Sequence, residues 1–226
     1  LLAPAGSTRP VLPPGLGRDR VAARGDVTLT NEGSIHLREG ALSLDDNELA
    51  VELDVRPGDE RPLVRGTVSA DRLSLATLRE DPSTGSGDSG SNRSDMAPGW
   101  STDPIDVSGL FSADGALALR VRSLDLGLAE IGPVEVDATL TRGRLVLDIG
   151  RVGAYGGLLA GEFVVNGRGG LSVGGDLSLA GVQLNPLLGE FAGFDRLEGN
   201  GNASFQFLGV GNDLATIMSG LEGEGD

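Results

Sequence analysis

From Gly25 onward the chain alternates apolar and polar positions with a period of two. Val27 and Leu29 share one face, followed by Ile35 and Leu37 after Asn31-Glu32-Gly33, and by Leu42 and Leu44 after Glu39-Gly40. Leu49, Val51, Leu53 and Val55 come next, after Asp45-Asp46-Asn47. Alternation punctuated by turn residues predicts short strands joined as antiparallel hairpins. A further strand is predicted from Leu63 to Ala70, and Asp71 to Leu78 leads into a short helical turn. The pattern returns with Ile105, Val107 and Phe111, then Leu117, Leu119 and Val121, with Leu124, Leu126 and Leu128 in the opposite register. Val134, Val136, Ala138 and Leu140 follow, and Thr141-Arg142-Gly143-Arg144 turns them into Leu145, Leu147 and Ile149. From Arg151 to Phe207 the alternation is most regular. It breaks only where Asn185 caps, and Pro186 opens, a short helix that Gly193 would end. A second short helix, capped by Asn212 or Asp213, carries Leu214, Ile217, Met218 and Leu221 on one side.

These signals divide the chain into four parts. Residues 1–23 hold four of the eleven prolines and form an irregular lead-in. Residues 24–80 are a first β section. Residues 81–104 are Ser, Gly, Asp and Pro with almost nothing to bury, hence a flexible linker or long loop. Residues 105–226 are a second β section. An internal echo links the two sections: Gly66, Val68, Ala70, Leu73, Leu75 and Leu78 match Gly175, Leu177, Leu179, Val182, Leu184 and Leu187 at one constant offset. That spacing suits an array of similar hairpin units with a small helix at intervals. The expected fold is mainly β: an elongated, twisted antiparallel sheet curled into a groove, with short helices at intervals.

Composition narrows the function. Glycine supplies 37 of 226 residues without a collagen period, which favours turns, bulges and close backbone approach in a β structure. Aromatics are only 4 %, so any core is Leu, Val, Ala and Ile. The net charge is −15 and every basic residue is Arg, so no basic stripe is present for nucleic acid. With no Cys, disulfides, thiolate catalysis and Cys-based zinc sites are excluded. No apolar run reaches the roughly 18 residues of a membrane span. The chain begins without Met and stops at Leu-Glu-Gly-Glu-Gly-Asp, inside an apparent strand, and reads as a piece of something longer.

Reacting groups are sparse. His36, the lone histidine, lies between Ile35 and Leu37 and points to the polar face, as an exposed strand residue without partners for a triad or metal site. Asp45-Asp46 and Asp59-Glu60 sit in turns, where nothing raises a carboxyl pKa for acid catalysis. The runs Gly167-Arg168-Gly169-Gly170 and Gly174-Gly175-Asp176 lack the Lys and following helix of a phosphate loop, so they read as hairpin turns and strand glycines. The reading is a chain that is not an enzyme and needs no cofactor and no metal.

The order of three marks is familiar: the strand end Tyr155-Gly156-Gly157, the entry Leu197, Gly199, Gly201, and the closing Leu221, Gly223, Gly225. With the segments around them, residues 105–226 resemble the C-terminal region of bacterial AsmA family proteins; residues 24–80 match weakly. The resemblance implies a periplasmic protein of a Gram-negative envelope, held in the inner membrane by a segment outside this chain. It also implies long sheets curled into an apolar groove that carries phospholipid toward the outer membrane, with phospholipid acyl chains and envelope proteins as partners and no catalytic residues. On this reading, alternation assigns Leu119, Leu126, Val136, Leu147, Val165 and Leu177 to the groove lining. The alternative is a structural scaffold or adhesin-like β array whose aliphatic face closes into a dry core.

Overall fold

The computed structural model describes residues 20–75, 100–125, 130–186 and 196–226. Twelve strands form one open sheet. They are β1 (Val21–Leu29), β2 (Ile35–Leu44), β3 (Asn47–Arg56), β4 (Leu63–Ser74), β5 (Asp114–Asp125), β6 (Glu130–Ile131), β7 (Val134–Thr141), β8 (Arg144–Ala154), β9 (Gly157–Asn166), β10 (Ser172–Gln183), β11 (Asn200–Val210) and β12 (Glu222–Gly225). Apart from the short β6, which pairs only with β5, they lie side by side in chain order. At strand spacings near 4.8 Å, the eleven in line span about 50 Å. A 3-10 turn covers Ser108–Phe111, and helix α1 covers Leu214–Ser219.

The hairpins fall where turn residues stand. Arg142 and Gly143 turn β7 into β8 with φ of 46° and 80°, and Tyr155 and Gly156 turn β8 into β9 with 50° and 73°. These left-handed pairs match the twist of the flanking strands. One joint departs from the antiparallel expectation: β4 and β5 run parallel, Leu63 opposite Asp114 through Ser74 opposite Asp125. Parallel neighbours need a long crossover, and the two strands stand far enough apart in the chain to allow one. This joint makes the two β sections one sheet.

Two local expectations change. Glu39-Gly40 is not a turn; β2 runs through it with a bulge, Leu37 pairing with Leu53 and Gly40 with Val51. Glu39 takes φ 50° there, and a Cβ on Gly40 would strike the Val51 carbonyl. Nor is the described part of 71–78 helical, because β4 continues to Ser74. The Ser74 N–H donates to Asn47 Oδ1 (2.6 Å), and Asn47 Nδ2 donates to the Ser74 carbonyl (3.1 Å). Asn47 is only 4 % exposed, so this side chain holds the strand end in place of a helical turn. Residues 76–80 lie outside the described residues, as does Gly193; residues 184–186 are helical, two positions ahead of the expected start at Pro186.

The internal echo has a structural counterpart. Its constant offset carries β4, Leu63–Ser74, onto β10, Ser172–Gln183, end for end. Each follows an antiparallel hairpin partner, β3 or β9.

Candidate functional site

Directly opposed residues in a sheet share a face, so the register fixes which side chains lie together. One row runs Val68, Leu119, Val136, Ile149, Gly161, Leu177, Phe205 across β4, β5 and β7 to β11. A second runs Leu117, Ala138, Leu147, Phe163, Gly175, Phe207. A third joins Leu140, Leu145, Val165 and Val173. Leu119, Val136, Leu147, Val165 and Leu177 therefore stand on one face, each half-buried; Leu126 lies outside the described residues.

No second layer of described residues covers this face. Every substantial contact between elements is between sheet neighbours, except for α1 on β11 and β6 beside β8. Only Val121, Val134, Leu171, Val182 and Ile217 are buried among the described hydrophobic residues. A closed core in a chain this size would bury many more.

Both strand-end margins of the face are plugged near β8 to β11, and glycines make the room. A Cβ on Gly167 would lie 3.3 Å from the Phe111 ring and 3.4 Å from Val107, and one on Gly209 would lie 2.8 Å from Ile217 Cγ2. The Phe111 ring also covers Gly143. At the other margin Leu184 sits 2.7 Å from where a Gly201 Cβ would be. Among the described residues nothing covers the middle, so an apolar guest would lie across the strands, along the sheet's long direction. A hollow of about 280 Å³ on this face, lined by Ala23, Gly25, Val27, Leu37, Gly40, Leu42 and Val51, marks its β1 end.

Sequence reasoning missed the aromatic step in the floor. Phe163 and Phe207 approach to 6.1 Å between ring centroids, with the Phe207 ring 2.8 Å from where a Gly175 Cβ would be. The signal was there as strand glycines next to the few phenylalanines.

The opposite face is charged. Arg120 forks onto both Asp137 oxygens (2.8 and 2.9 Å), Arg151 meets Glu135 (2.7 Å), and Arg122 meets Asp71 (3.2 Å). His36 is not a free exposed residue: its Nδ1 lies 2.5 Å from Asp54 Oδ1, which also accepts from Arg38 (2.7 Å). The hydrogen bond to His36, then that from Arg38, holds the Asp54 carboxyl below its usual range. A hollow of about 840 Å³ opens on this face between Glu48, Ser69, Asp71, Arg120, Arg122 and Glu135. Its walls mix both signs, and Arg120 and Arg122 already hold carboxylates, so it selects no ligand class. Exposed pairs like these contribute at most about 1 kcal/mol each.

Asp213 caps α1, accepting from Thr216 N–H (2.8 Å) and Thr216 Oγ1–H (2.7 Å). The bond from the Thr216 hydroxyl, then that from its N–H, lowers the Asp213 pKa. A carboxyl depressed in the folded state stabilises above its unfolded pKa and loses that contribution as pH falls through the folded one. Amide exchange should therefore show α1 fully protected above about pH 5, fading below pH 4, and Asp213→Ala should show the faded level at every pH.

Among the described residues, no group of three His, Asp or Glu could hold a metal ion, and no helix is long and apolar enough to cross a membrane. No family model, curated protein or solved structure matches the chain.

Proposed function

We propose that this protein binds lipid without chemistry, taking phospholipid acyl chains on its aliphatic sheet face and conducting them between the inner and outer membranes of a Gram-negative envelope. In this reading it is AsmA-like, works in the periplasm, and is anchored to the inner membrane in its full-length form. The observation that carries the proposal is the uncovered face: aliphatic rows several strands wide with no second layer of described residues over them. Exposed apolar patches of that size mark interaction sites. A face about 50 Å across exceeds the depth of one bilayer leaflet, about 15 Å, several times over.

The energetics suit passage. Each fully buried methylene gains about 0.8 kcal/mol, and a chain lying on an open face is buried on one side, so ten methylenes gain roughly 4 kcal/mol. Association costs consume much of that. The result is reversible binding, which conduction needs.

Mass spectrometry of the purified protein should find co-purified phospholipid, recovered chemically unchanged. Absence of lipid, together with no uptake of a fluorescent fatty acid, would instead favour the scaffold reading, with recognition left to loops.

A further inference from the structure

The two edges of the sheet are guarded differently. β12 is four residues long, its strand carries Glu222 and Glu224, and Asp226 follows. Like charge blunts an edge against pairing. β1 has nine residues, all exposed, and among the described strands it pairs only with β2. It contains neither Pro nor a block of like charge, and it leaves Val27 68 % and Leu29 71 % exposed.

The sequence of β1, Val-Ala-Ala-Arg-Gly-Asp-Val-Thr-Leu, is complementary to itself about Gly25. We propose that two copies of this chain join edge to edge through β1, antiparallel and two-fold symmetric about Gly25, so that their aliphatic faces merge into one surface. In that register Arg24 faces the second copy's Asp26 and Asp26 its Arg24. Val21 meets Leu29, and Ala23 meets Val27, all on the aliphatic side, because β1 sets Val21, Ala23, Val27 and Leu29 beside Leu44, Leu42, Leu37 and Ile35.

The neighbouring registers are rejected by charge. Sliding by two residues in one direction opposes Asp26 to Asp26; sliding the other way opposes Arg24 to Arg24. Like charges directly opposite are destabilising. A slip of one residue turns the second copy's aliphatic face to the wrong side. Pairing β1 with β12 would give a contact that propagates without closing, whereas the β1 pair closes as a dimer.

The test is oligomeric state by light scattering on the intact chain at its highest soluble concentration. Wild type is expected at twice the chain's mass. Arg24→Asp and Asp26→Arg each leave a monomer, and the double exchange Arg24→Asp/Asp26→Arg restores the dimer with its ion pairs reversed. The chain has no native Cys, so an Ala22→Cys/Thr28→Cys variant reads the register directly: oxidation yields a covalent dimer. A monomeric wild type, a dimer insensitive to Arg24→Asp, a double exchange that stays monomeric, or a ladder of higher cross-linked species would each overturn the proposal.

Discussion

Val165→Arg and Leu147→Glu are each expected to abolish photocrosslinking to a lipid with a diazirine in its acyl chain, while far-UV circular dichroism should remain that of a β sheet. Both positions lie on the aliphatic face, Val165 between Leu145 and Val173 and Leu147 between Ala138 and Phe163. Because no second layer of described residues covers them, a charged side chain there still reaches water, and the sheet tolerates it. The acyl chain does not: displacing that charge's water costs several kcal/mol, comparable to the roughly 4 kcal/mol that ten methylenes gain. Glu162→Arg is the control, since Glu162 is exposed on the charged face opposite Asp148 and Asp176. Undiminished label transfer to Val165→Arg would count against lipid on this face, and loss with Glu162→Arg would show the effect to be one of charge alone.

Alternation made the face legible because a period of two needs no knowledge of which strand is the neighbour. Direction and neighbour were not legible in the same way. Nothing local to Leu63–Ser74 says that its next partner, Asp114–Asp125, will run parallel to it. The bulges were half-legible. Leu179 and Val182 are three apart, and β10 absorbs the extra residue at Gly181, whose φ is 66° and whose N–H donates to Asn202 Oδ1 (2.8 Å). Ala70 and Leu73 have the same spacing at the matching place in β4, but Asp71 and Arg72 stand there instead of Ala180 and Gly181. β4 accordingly keeps its register, Ala70 opposite Val121 and Leu73 opposite Leu124, and Leu73 goes to the other face. One glycine separates two outcomes of one spacing. His36 shows a different limit: its face followed from alternation, its partner from Asp54 standing opposite in β3.

The same physics accounts for the glycine content. With one layer and five buried hydrophobic side chains among the described residues, stability there rests on backbone ladders and lateral contact between neighbours in a row, and it adds up strand by strand. Glycines then serve where another group must touch the backbone: Phe111 over Gly143, Ile217 against Gly209, Leu184 against Gly201. In such an array each joint is local, so a damaged joint opens without unfolding the rest.

The parallel joint gives the sharpest case. Gly115 in β5 lies opposite Val64 in β4, and a Cβ there would drive into the Val64 carbonyl and lie 3.0 Å from the Val64 nitrogen. Neither group is the end of a flexible side chain, so the backbones must separate. Gly115→Val should cost about 2–3 kcal/mol, the upper range for overpacking, concentrated at this joint. Hydrogen exchange is then expected to show β4 and β5 losing protection while β8, β9 and β10 keep theirs, because the antiparallel hairpins beyond β7 do not depend on that contact. Gly109→Ala, where a Cβ meets open space, leaves every strand as in wild type. If Gly115→Val leaves β4 and β5 as protected as before, the two β sections do not meet through this pair of strands; if protection is lost everywhere at once, the sheet behaves as one cooperative block and not as a series of joints.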